Sequence, residues 1–183
     1  MDQIYTHPKR KTKVVFVQLG SPSEPTTKAL RKYLRKFLGD PRVVDINPWL
    51  WKIILNFFVL PFRPKKSAKL YARIWDGKSF PLITNTRDFT NNVREELKKI
   101  DPNGHVEVNH AFLLSPPYVN EVYDSWEDDL KKGIGATKLL VIPMFPQYSE
   151  STIASGIDAL AKELSKRVKI PTFEVITNFH RTH

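Results

Sequence analysis

The stretch Lys13-Val14-Val15-Phe16-Val17-Gln18-Leu19 decides the fold class, because it is a mostly apolar run of strand length that Gly20-Ser21-Pro22 ends. A run without polar alternation is typical of a strand that is buried on both faces of a sheet. A loop with two prolines follows, and Thr26 or Thr27 can cap a helix that continues to about Leu38. A buried strand followed by helix is the beginning of a parallel βαβ arrangement.

The same alternation continues along the chain. Further strands are predicted at 105–114, 137–143 and 172–177, with helices at 119–131 and 153–167. This order indicates right-handed crossovers around a parallel sheet. We therefore predict an α/β fold, a parallel four-stranded sheet flanked by helices in three Rossmann-like layers. The domain is expected to span 13–183 after a flexible segment at 1–12, with a helical insert of three or four helices at about 26–104.

The net positive charge of the chain lies in its first two-fifths. Residues 1–75 hold 16 Lys and Arg against 4 Asp and Glu, whereas residues 76–183 hold 13 against 15. The net charge of +10 raises the alternative of a nucleic-acid partner, but no nucleic-acid-binding motif is present. The hydrophobic fraction of 41% is too high for a disordered basic tail, so the charge decorates a folded surface.

Cysteine is absent, which excludes a disulfide framework, a thiolate zinc site and a cysteine-ligated iron–sulfur cluster. The first residues contain no apolar stretch of the signal-peptide kind, so a cytoplasmic location is the default expectation. The five histidines show no metal-ligand spacing. His180 and His183 lie three residues apart, but at a chain end where fraying is common, so we predict no metal site.

An apolar segment at Ile46–Phe62 stands out within the predicted insert. Twelve of its 17 residues are apolar, but Pro48, Lys52 and Pro61 interrupt it, and a membrane-spanning helix needs about 20 apolar residues. We expect most of its side chains to pack in the core; the alternative is an exposed apolar lip. Cations follow directly, at Arg63, Lys65, Lys66, Lys69 and Arg73. An apolar surface beside cations suits an anionic bilayer, or an apolar ligand with carboxylates.

Ligands of open parallel sheets bind beyond the carboxyl ends of the strands, so the loops there are candidate sites. The loop Leu19–Pro25 has one glycine where a dinucleotide fingerprint needs three, which argues against a dinucleotide cofactor. The loop Phe145–Thr152 is polar and aromatic and precedes a predicted helix. Its hydroxyls either cap that helix or bind an anionic group of a ligand.

Four stretches resemble successive motifs of the bacterial ferrochelatases, in matching order and spacing. They are Val17–Pro22, Tyr33–Val44, Leu60–Ala68 and Pro143–Thr152. The resemblance runs from Lys13 to His183 and covers about the first half of a typical family member. It implies two similar α/β domains with a porphyrin between them. It also implies insertion of ferrous iron into protoporphyrin IX or coproporphyrin in haem biosynthesis, with Fe2+ and porphyrin as substrates and no permanently bound cofactor.

The resemblance also assigns roles to residues of the cleft. Arg63 would bind a propionate, Tyr71 would contact the porphyrin, and Leu19 would form a wall that faces the metal. The other porphyrin-contacting positions are Gly20, Phe80, Gln147, Tyr148 and Ser149, and the lip positions are Trp49, Trp51, Phe57, Phe58, Lys65 and Lys66. The lip of the family is also its membrane-facing surface. We therefore expect peripheral contact with the inner face of an anionic membrane.

Departures from the family pattern bear on activity. Ser79-Phe80-Pro81-Leu82 stands where Gly-Ser-Pro-Leu is usual, and Phe112-Leu113-Leu114-Ser115-Pro116 where many bacterial members have Arg-Tyr-Gly-Asn-Pro. The catalytic histidine of the family, in a Ser-Ala-His segment, and its catalytic glutamate have no counterpart here, and Thr182-His183 is a different pair. We expect no catalytic residue in this chain, which would bind a porphyrin without metallating it.

Two interpretations of the chain stay open. In the first it is the N-terminal domain of a ferrochelatase-like lyase, completed by a missing C-terminal half or, as a homodimer, by a second copy. In the second it is a stand-alone porphyrin or haem carrier without chelatase activity. Haem binding without metallation would favour the carrier.

Overall fold

In the computed structural model, which describes residues 11–133 and 136–179, four parallel strands form one sheet. They are β1 (Thr12–Gln18), β2 (Val106–Phe112), β3 (Lys138–Pro143) and β4 (Thr172–Val175), in the order β2-β1-β3-β4. The central strand β1 pairs on both sides, so that Val15 lies between Asn109 and Val141. The predicted α/β fold with a parallel four-stranded sheet is confirmed.

Helices cover both faces of this sheet. They are α1 (Thr27–Leu38), α2 (Pro48–Ile54), α3 (Arg63–Tyr71), α4 (Pro81–Ile100), α5 (Val119–Lys131) and α6 (Ser155–Leu164). Val15 and Val17 pack into a core with α5 and α6, whereas Val14 and Phe16 pack against α4 on the opposite face. The alternation follows from the pleat, which turns successive side chains to opposite faces. An apolar run at β1 therefore fills two cores at once.

The long insert between β1 and β2 contains α1 to α4. The Oγ1 atom of Thr26 accepts a hydrogen bond from the Ala29 N–H at 3.2 Å and so caps α1, as predicted. Asn47 Oδ1 caps α2 by accepting the N–H groups of Trp49 and Leu50. A π-helical turn at 55–59 continues α2, a 3₁₀ turn at 72–74 continues α3, and α3 packs against α1.

The apolar segment of the insert is only partly buried. Leu55 and Leu60 lie in the interior, but four aromatic side chains are at least 66% exposed: Trp49, Phe57, Phe58 and Phe62. The expectation that most of this segment packs in the core is wrong, because a helix laid on a domain buries one side only. We call these four residues the apolar lip. No helix of the described residues is long and apolar enough to cross a membrane.

Trp51 holds the segment to the domain instead of extending the apolar lip. Its ring is half-buried, and its indole N–H donates to the Leu38 carbonyl at 2.6 Å. Arg31 makes a second attachment, because its Nε donates to the Leu60 carbonyl at 3.2 Å. Both acceptors are carbonyl groups at or near helix ends, which lack intrahelical partners. The segment is thus fixed to α1 while its aromatic side stays open.

Several predicted boundaries differ from the observed ones; β2 and β4, for example, each end two residues earlier than predicted. Strand β1 begins at Thr12, inside the segment expected to be flexible, and residues 1–10 lie outside the described residues. The helix predicted at 153–167 begins earlier, with a π-helical turn at Glu150–Ala154, and its α-helical part ends at Leu164. All these differences lie at element ends, which fray and are the least certain part of an element.

Candidate functional site

The loops after β1 and β2 lie side by side at the carboxyl end of the sheet. The Leu114 N–H donates to the Leu19 carbonyl at 3.0 Å, and the Ser21 N–H donates to Ser115 Oγ at 3.3 Å. Gly20 lies between these two contacts. Since ligands of parallel sheets bind at this edge, the paired loops are the floor of the candidate site.

Gly20 is required by both its conformation and its surroundings. Its φ angle is +93°, in the region that favours glycine. A Cβ atom at this position would overlap Ser115 Oγ and come within 3.1 Å of the Phe112 Cβ. Gly20 therefore contributes a close approach of main chain to the neighbouring loop, which fixes how the two loops pack.

Four aromatic side chains form a connected cluster beside the loops. Tyr33 donates its hydroxyl to the Gly20 carbonyl at 3.4 Å, and its ring centre lies 6.2 Å from that of Tyr71. Phe80 meets Tyr71 and Trp75 edge-on, with ring centres 5.4 and 4.7 Å apart. Burial, and secondarily the neighbouring Tyr71, raises the pKa of Tyr33, so its phenol stays protonated at neutral pH. Tyr33 is therefore part of a wall and not an acid–base group.

A cavity of about 380 Å³ opens beside this cluster. We call it the lysine cavity, because Lys32 and Lys36 of α1 and Lys78 before α4 line it and none of its lining residues is Asp or Glu. The Nζ atom of Lys36 donates to the Tyr118 hydroxyl at 3.0 Å and lies 4.5 Å from the centre of that ring. The side chains of Lys32 and Lys78 have no hydrogen-bond or ion-pair partner in the described part of the chain.

Leu19 lines a second cavity, of about 150 Å³, together with Phe37 and Val43. Asp158 of α6 also lines it and forms an ion pair with Arg42, and the hydrogen bond from that guanidinium lowers the pKa of the Asp158 carboxyl. The structure therefore places Leu19 in a wall of mixed apolar and polar residues. Contact of Leu19 with a ligand stays a prediction.

Arg63 is the first residue of α3 and directly follows the apolar lip. Its side chain is exposed and makes no hydrogen bond or ion pair within residues 11–133 and 136–179. Lys65 and Lys66 are exposed beside it. Tyr71 is the last residue of the same helix, about 12 Å from Arg63 along the helix axis at 1.5 Å per residue. Arg63 therefore stands at the lip, whereas Tyr71 stands at the aromatic cluster.

The loop after β3 carries three predicted ligand contacts, of which Gln147 and Tyr148 are exposed and Ser149 is half-buried. The hydroxyl of Ser149 lies 3.1 Å from Ser151 Oγ and makes no capping hydrogen bond. The Ser149 carbonyl, in contrast, accepts the Ile153 N–H at 3.0 Å. The capping interpretation is therefore wrong for the Ser149 hydroxyl. Binding of an anionic group by this loop stays a prediction.

The aromatic residues that depart from the family pattern lie in the interior. Phe112 is fully buried at the end of β2. Phe80 is 2% exposed, and although its ring reaches the wall of the lysine cavity, it mainly supports Tyr71 and Trp75. Direct contact of Phe80 with a ligand stays a prediction. The extra ring in place of a small polar residue makes this wall more apolar.

Lys32, Lys36 and Lys78 were not predicted as site residues from the sequence. Helix α1 holds five cationic residues and no acidic one, and Lys28, Lys32 and Lys36 recur every four residues along one face. That spacing was a usable signal for a cationic face. It could not reveal the cavity, because Lys78 joins the other lysines only through the tertiary fold.

No group of three or more His, Asp or Glu side chains suits a metal ion within residues 11–133 and 136–179. His180, His183 and the Thr182-His183 pair lie outside the described residues. The described histidines are His105, which precedes β2, and His110, which lies within it. Neither belongs to a loop at the carboxyl end of a strand.

Comparisons with known proteins agree with the motifs in these loops. The family model described as Ferrochelatase matches residues 11–183. A ferrochelatase of Idiomarina loihiensis is 41% identical over 91% of this chain and 44% of its own length. A coproporphyrin III ferrochelatase of Streptococcus mutans is 38% identical over 94% of this chain and 52% of its own length. The chain thus spans about half the length of the curated relatives it matches, and it belongs to the ferrochelatase family.

Proposed function

We propose that this chain forms one wall of the porphyrin site of a ferrochelatase, which inserts ferrous iron into protoporphyrin IX or coproporphyrin in haem biosynthesis. The chain contributes binding surface, and the opposite wall comes from the rest of a longer chain or from a second copy. By itself the polypeptide binds a porphyrin without metallating it. Ferrous iron and the porphyrin are both substrates.

The placement of Arg63 carries this proposal. An exposed guanidinium without a protein partner directly follows the four exposed aromatic residues of the apolar lip. A flat apolar ring with carboxylate arms needs this combination, because apolar walls bury the ring and a guanidinium binds a carboxylate through two parallel hydrogen bonds. Exposed aromatic area has no benefit for folding in water, so a ligand or surface that covers it is the better explanation.

The lack of metallation follows from the acid–base groups of the site. Metal insertion requires the removal of two pyrrole protons by a positioned base with a pKa near neutrality. Burial keeps the phenol of Tyr33 protonated, and the carboxylate of Asp158 is engaged in an ion pair with Arg42. The sequence contains no Ser-Ala-His segment of the family type. The described loops at the carboxyl ends of the strands contain no histidine that could serve as this base.

The test is a titration of the chain with protoporphyrin IX and with coproporphyrin III, followed through the Soret absorbance. We expect saturable binding, and about tenfold weaker binding by Arg63→Ala, since a charged hydrogen bond contributes about 1.5 kcal/mol. Lys69→Ala, which removes an exposed cation of the same helix, is the matched control and should bind like the parent. Absence of saturable binding by the parent chain would refute a porphyrin site.

An anaerobic assay with ferrous iron separates the two interpretations of the chain. We expect no metalloporphyrin from the polypeptide alone, and turnover comparable to a full-length family member would refute the proposed lack of metallation. Haem that binds more tightly than either metal-free porphyrin would instead identify a carrier. Sedimentation with and without porphyrin shows whether two copies close the site.

We also propose that the apolar lip docks on the inner face of an anionic membrane. Aromatic side chains suit the interfacial region of a bilayer, because their rings are apolar and tolerate a partly polar setting. Lys65 and Lys66 are exposed directly beyond the lip, where each cation adds about 1 kcal/mol of attraction to anionic lipid. Such docking would place the porphyrin site next to the membrane.

A further inference from the structure

The lysine cavity holds positive charge that neither the fold nor Arg63 explains. Two of its lysines, Lys32 and Lys36, lie four residues apart on α1, and like charges at this spacing destabilise a helix. No Asp or Glu lines the cavity, and Asp76, two residues before Lys78 in the chain, offsets only part of the charge through a minor electrostatic interaction with Lys78. An arrangement that is unfavourable for the free chain becomes favourable when an anion occupies the cavity.

The donors around the cavity are held in place. The Oδ1 atom of Asp76 accepts the N–H groups of Lys78 and Ser79, at 2.8 and 2.6 Å, and so fixes the turn that presents Lys78. The contact of Lys36 with Tyr118 fixes the opposite side. The backbone of the cavity is therefore set before a ligand enters, which lowers the entropy lost on binding.

The cavity also contains further hydrogen-bond donors, which favour a ligand group that accepts hydrogen bonds. Ser21, Ser23 and Ser115 line the cavity with hydroxyl groups. Trp75 also lines it, and its indole N–H has no partner among the described residues. An indole N–H can only donate, and lysines likewise only donate. All these groups can donate a hydrogen bond to a carboxylate or another oxyanion.

The size of the cavity limits what enters it. A volume of about 380 Å³ is near the lower end of the roughly 300–1,000 Å³ of small-molecule sites. It accommodates an acidic arm and an edge of a flat ring, which would lie against the aromatic wall of Tyr33, Trp75 and Phe80. It does not accommodate the whole macrocycle.

We infer that the lysine cavity is a second carboxylate-binding subsite, separate from Arg63, and that Lys32, Lys36 and Lys78 bind an acidic arm of the porphyrin there. This inference rests on the proposed function. Arg63 begins α3, whereas Tyr71 ends it and lies beside Tyr33, which lines the lysine cavity. The cation of Arg63 and those of the lysine cavity are therefore at two separate places of one site. The chain therefore prefers a porphyrin with carboxylates at opposite edges, such as tetracarboxylate coproporphyrin, over dicarboxylate protoporphyrin.

The first experiment compares the affinities for coproporphyrin III and protoporphyrin IX. We expect the parent chain to bind coproporphyrin about tenfold more tightly, as two exposed charge contacts allow. In the double variant Lys32→Gln, Lys78→Gln this ratio should fall to near one. Within the described residues neither side chain makes a hydrogen bond or a close ion pair, and Lys78 has only a minor electrostatic interaction with Asp76, so the fold is expected to persist.

The control removes two charges elsewhere. The double variant Lys28→Gln, Lys132→Gln loses the same net charge, but neither lysine lines the cavity. It should keep the parent ratio. A ratio that is unchanged by the cavity variant, or that falls equally in the control, overturns the subsite.

A second experiment keeps the subsite testable if neither porphyrin binds, which would refute the proposed function alone. Inorganic phosphate is titrated while the indole N–H signals are followed by nuclear magnetic resonance, with Trp75 assigned through Trp75→Phe. We expect a saturable shift of the Trp75 signal that is lost in Lys32→Gln, Lys78→Gln and kept in the control. No saturable shift, or the same shift in the cavity variant, overturns the anion subsite.

Discussion

Arg42 and Asp158 form a bidentate ion pair, in which Arg42 Nε lies 2.6 Å from Asp158 Oδ2 and Arg42 Nη2 lies 3.0 Å from Asp158 Oδ1. Arg42 belongs to the turn Asp40–Val44 that follows α1, and Asp158 belongs to α6. The pair therefore connects the helical insert with the helix after β3. This contact gives Asp40-Pro41-Arg42-Val43-Val44, one of the motifs that resemble the family, a structural role.

Replacing Asp158 by Asn should loosen this connection. The hydrogen bond from Arg42 lowers the pKa of Asp158 below that of an unfolded aspartate, near 3.9. The stabilisation is therefore present above pH 3.9 and is lost as the pH falls through the lowered pKa. We expect Asp158→Asn to lower the urea midpoint modestly at pH 7 and hardly at pH 2, because both groups are partly exposed.

The control for this prediction is Glu96→Gln, which breaks an exposed ion pair with Lys99 within α4. It should leave the urea midpoint nearly unchanged, since such pairs contribute little. Faster hydrogen exchange of the Asp40–Val44 amides in Asp158→Asn alone would show that the connection is local. Equal effects of both variants would contradict a specific connection between the helical insert and α6.

The close contact at Gly20 gives a second prediction, with a matched control at Gly77. Both glycines have φ +93°, but a Cβ at Gly77 would meet nothing within 4 Å. Gly77→Ala should cost about 1–2 kcal/mol through backbone strain alone. Gly20→Ala adds overlap with the Ser115 hydroxyl, so it should cost about 1–3 kcal/mol more. Urea unfolding of the two variants measures the difference, and equal losses would contradict the close approach.

What the sequence predicted correctly is local. The capping of α1 by Thr26 depends on residues within one turn, and the apolar run of β1 has one stable placement, inside a sheet. What it could not predict depends on distant contacts. Composition does not show whether the side chains of Phe57 and Phe58 are buried or exposed. Lys78 lies near the lysines of α1 only after the insert has folded. The candidate site therefore emerges from pairs far apart in the chain.

Phe80 provides a third prediction, on the aromatic wall. Its ring is buried against Tyr71 and Trp75, so Phe80→Ser leaves a cavity behind both rings. The loss of stability should be about 3–5 kcal/mol, as for other truncations of buried phenylalanine. Phe80→Leu keeps most of the volume and should cost only about 1 kcal/mol. Urea unfolding gives both values, and a small loss for the serine variant would contradict the supporting role.

His110 provides a fourth prediction, on the effect of pH. Burial, with contributions from Arg94 and Arg87, lowers the pKa of His110 below its unfolded value near 6.5. Its Nδ1 atom is buried without a hydrogen-bond partner among the described residues. Below pH 6.5 the unfolded chain therefore gains the proton first, and stability falls until the pH reaches the lowered pKa.

The variant His110→Asn removes the titrating imidazole, so the loss of stability between pH 7 and pH 5 should become smaller. The control His105→Asn keeps His110 and should retain the loss. Urea midpoints at half-unit steps of pH measure the slope. An unchanged slope in His110→Asn would assign the pH dependence to other groups.

The apolar lip provides the last prediction, on membrane docking. Phe57 and Phe58 are 70% and 66% exposed, so the double variant Phe57→Ser, Phe58→Ser should leave stability nearly unchanged. Binding to phosphatidylglycerol vesicles should weaken by at least about tenfold, because two partly inserted rings lose their transfer free energy. Co-sedimentation with vesicles measures the loss.

Two exposed apolar residues far from the lip in sequence, Ile100 and Val168, form the control pair. Ile100→Ser, Val168→Ser removes comparable apolar surface and should bind vesicles like the parent. Lys65→Gln, Lys66→Gln should weaken binding to phosphatidylglycerol while leaving weak binding to phosphatidylcholine unchanged, because the cations attract only anionic lipid. Vesicle binding that is insensitive to both lip and lysine variants would show that another surface contacts the membrane. Porphyrin binding by the lip variants then decides whether the exposed rings serve the membrane, the ligand or both.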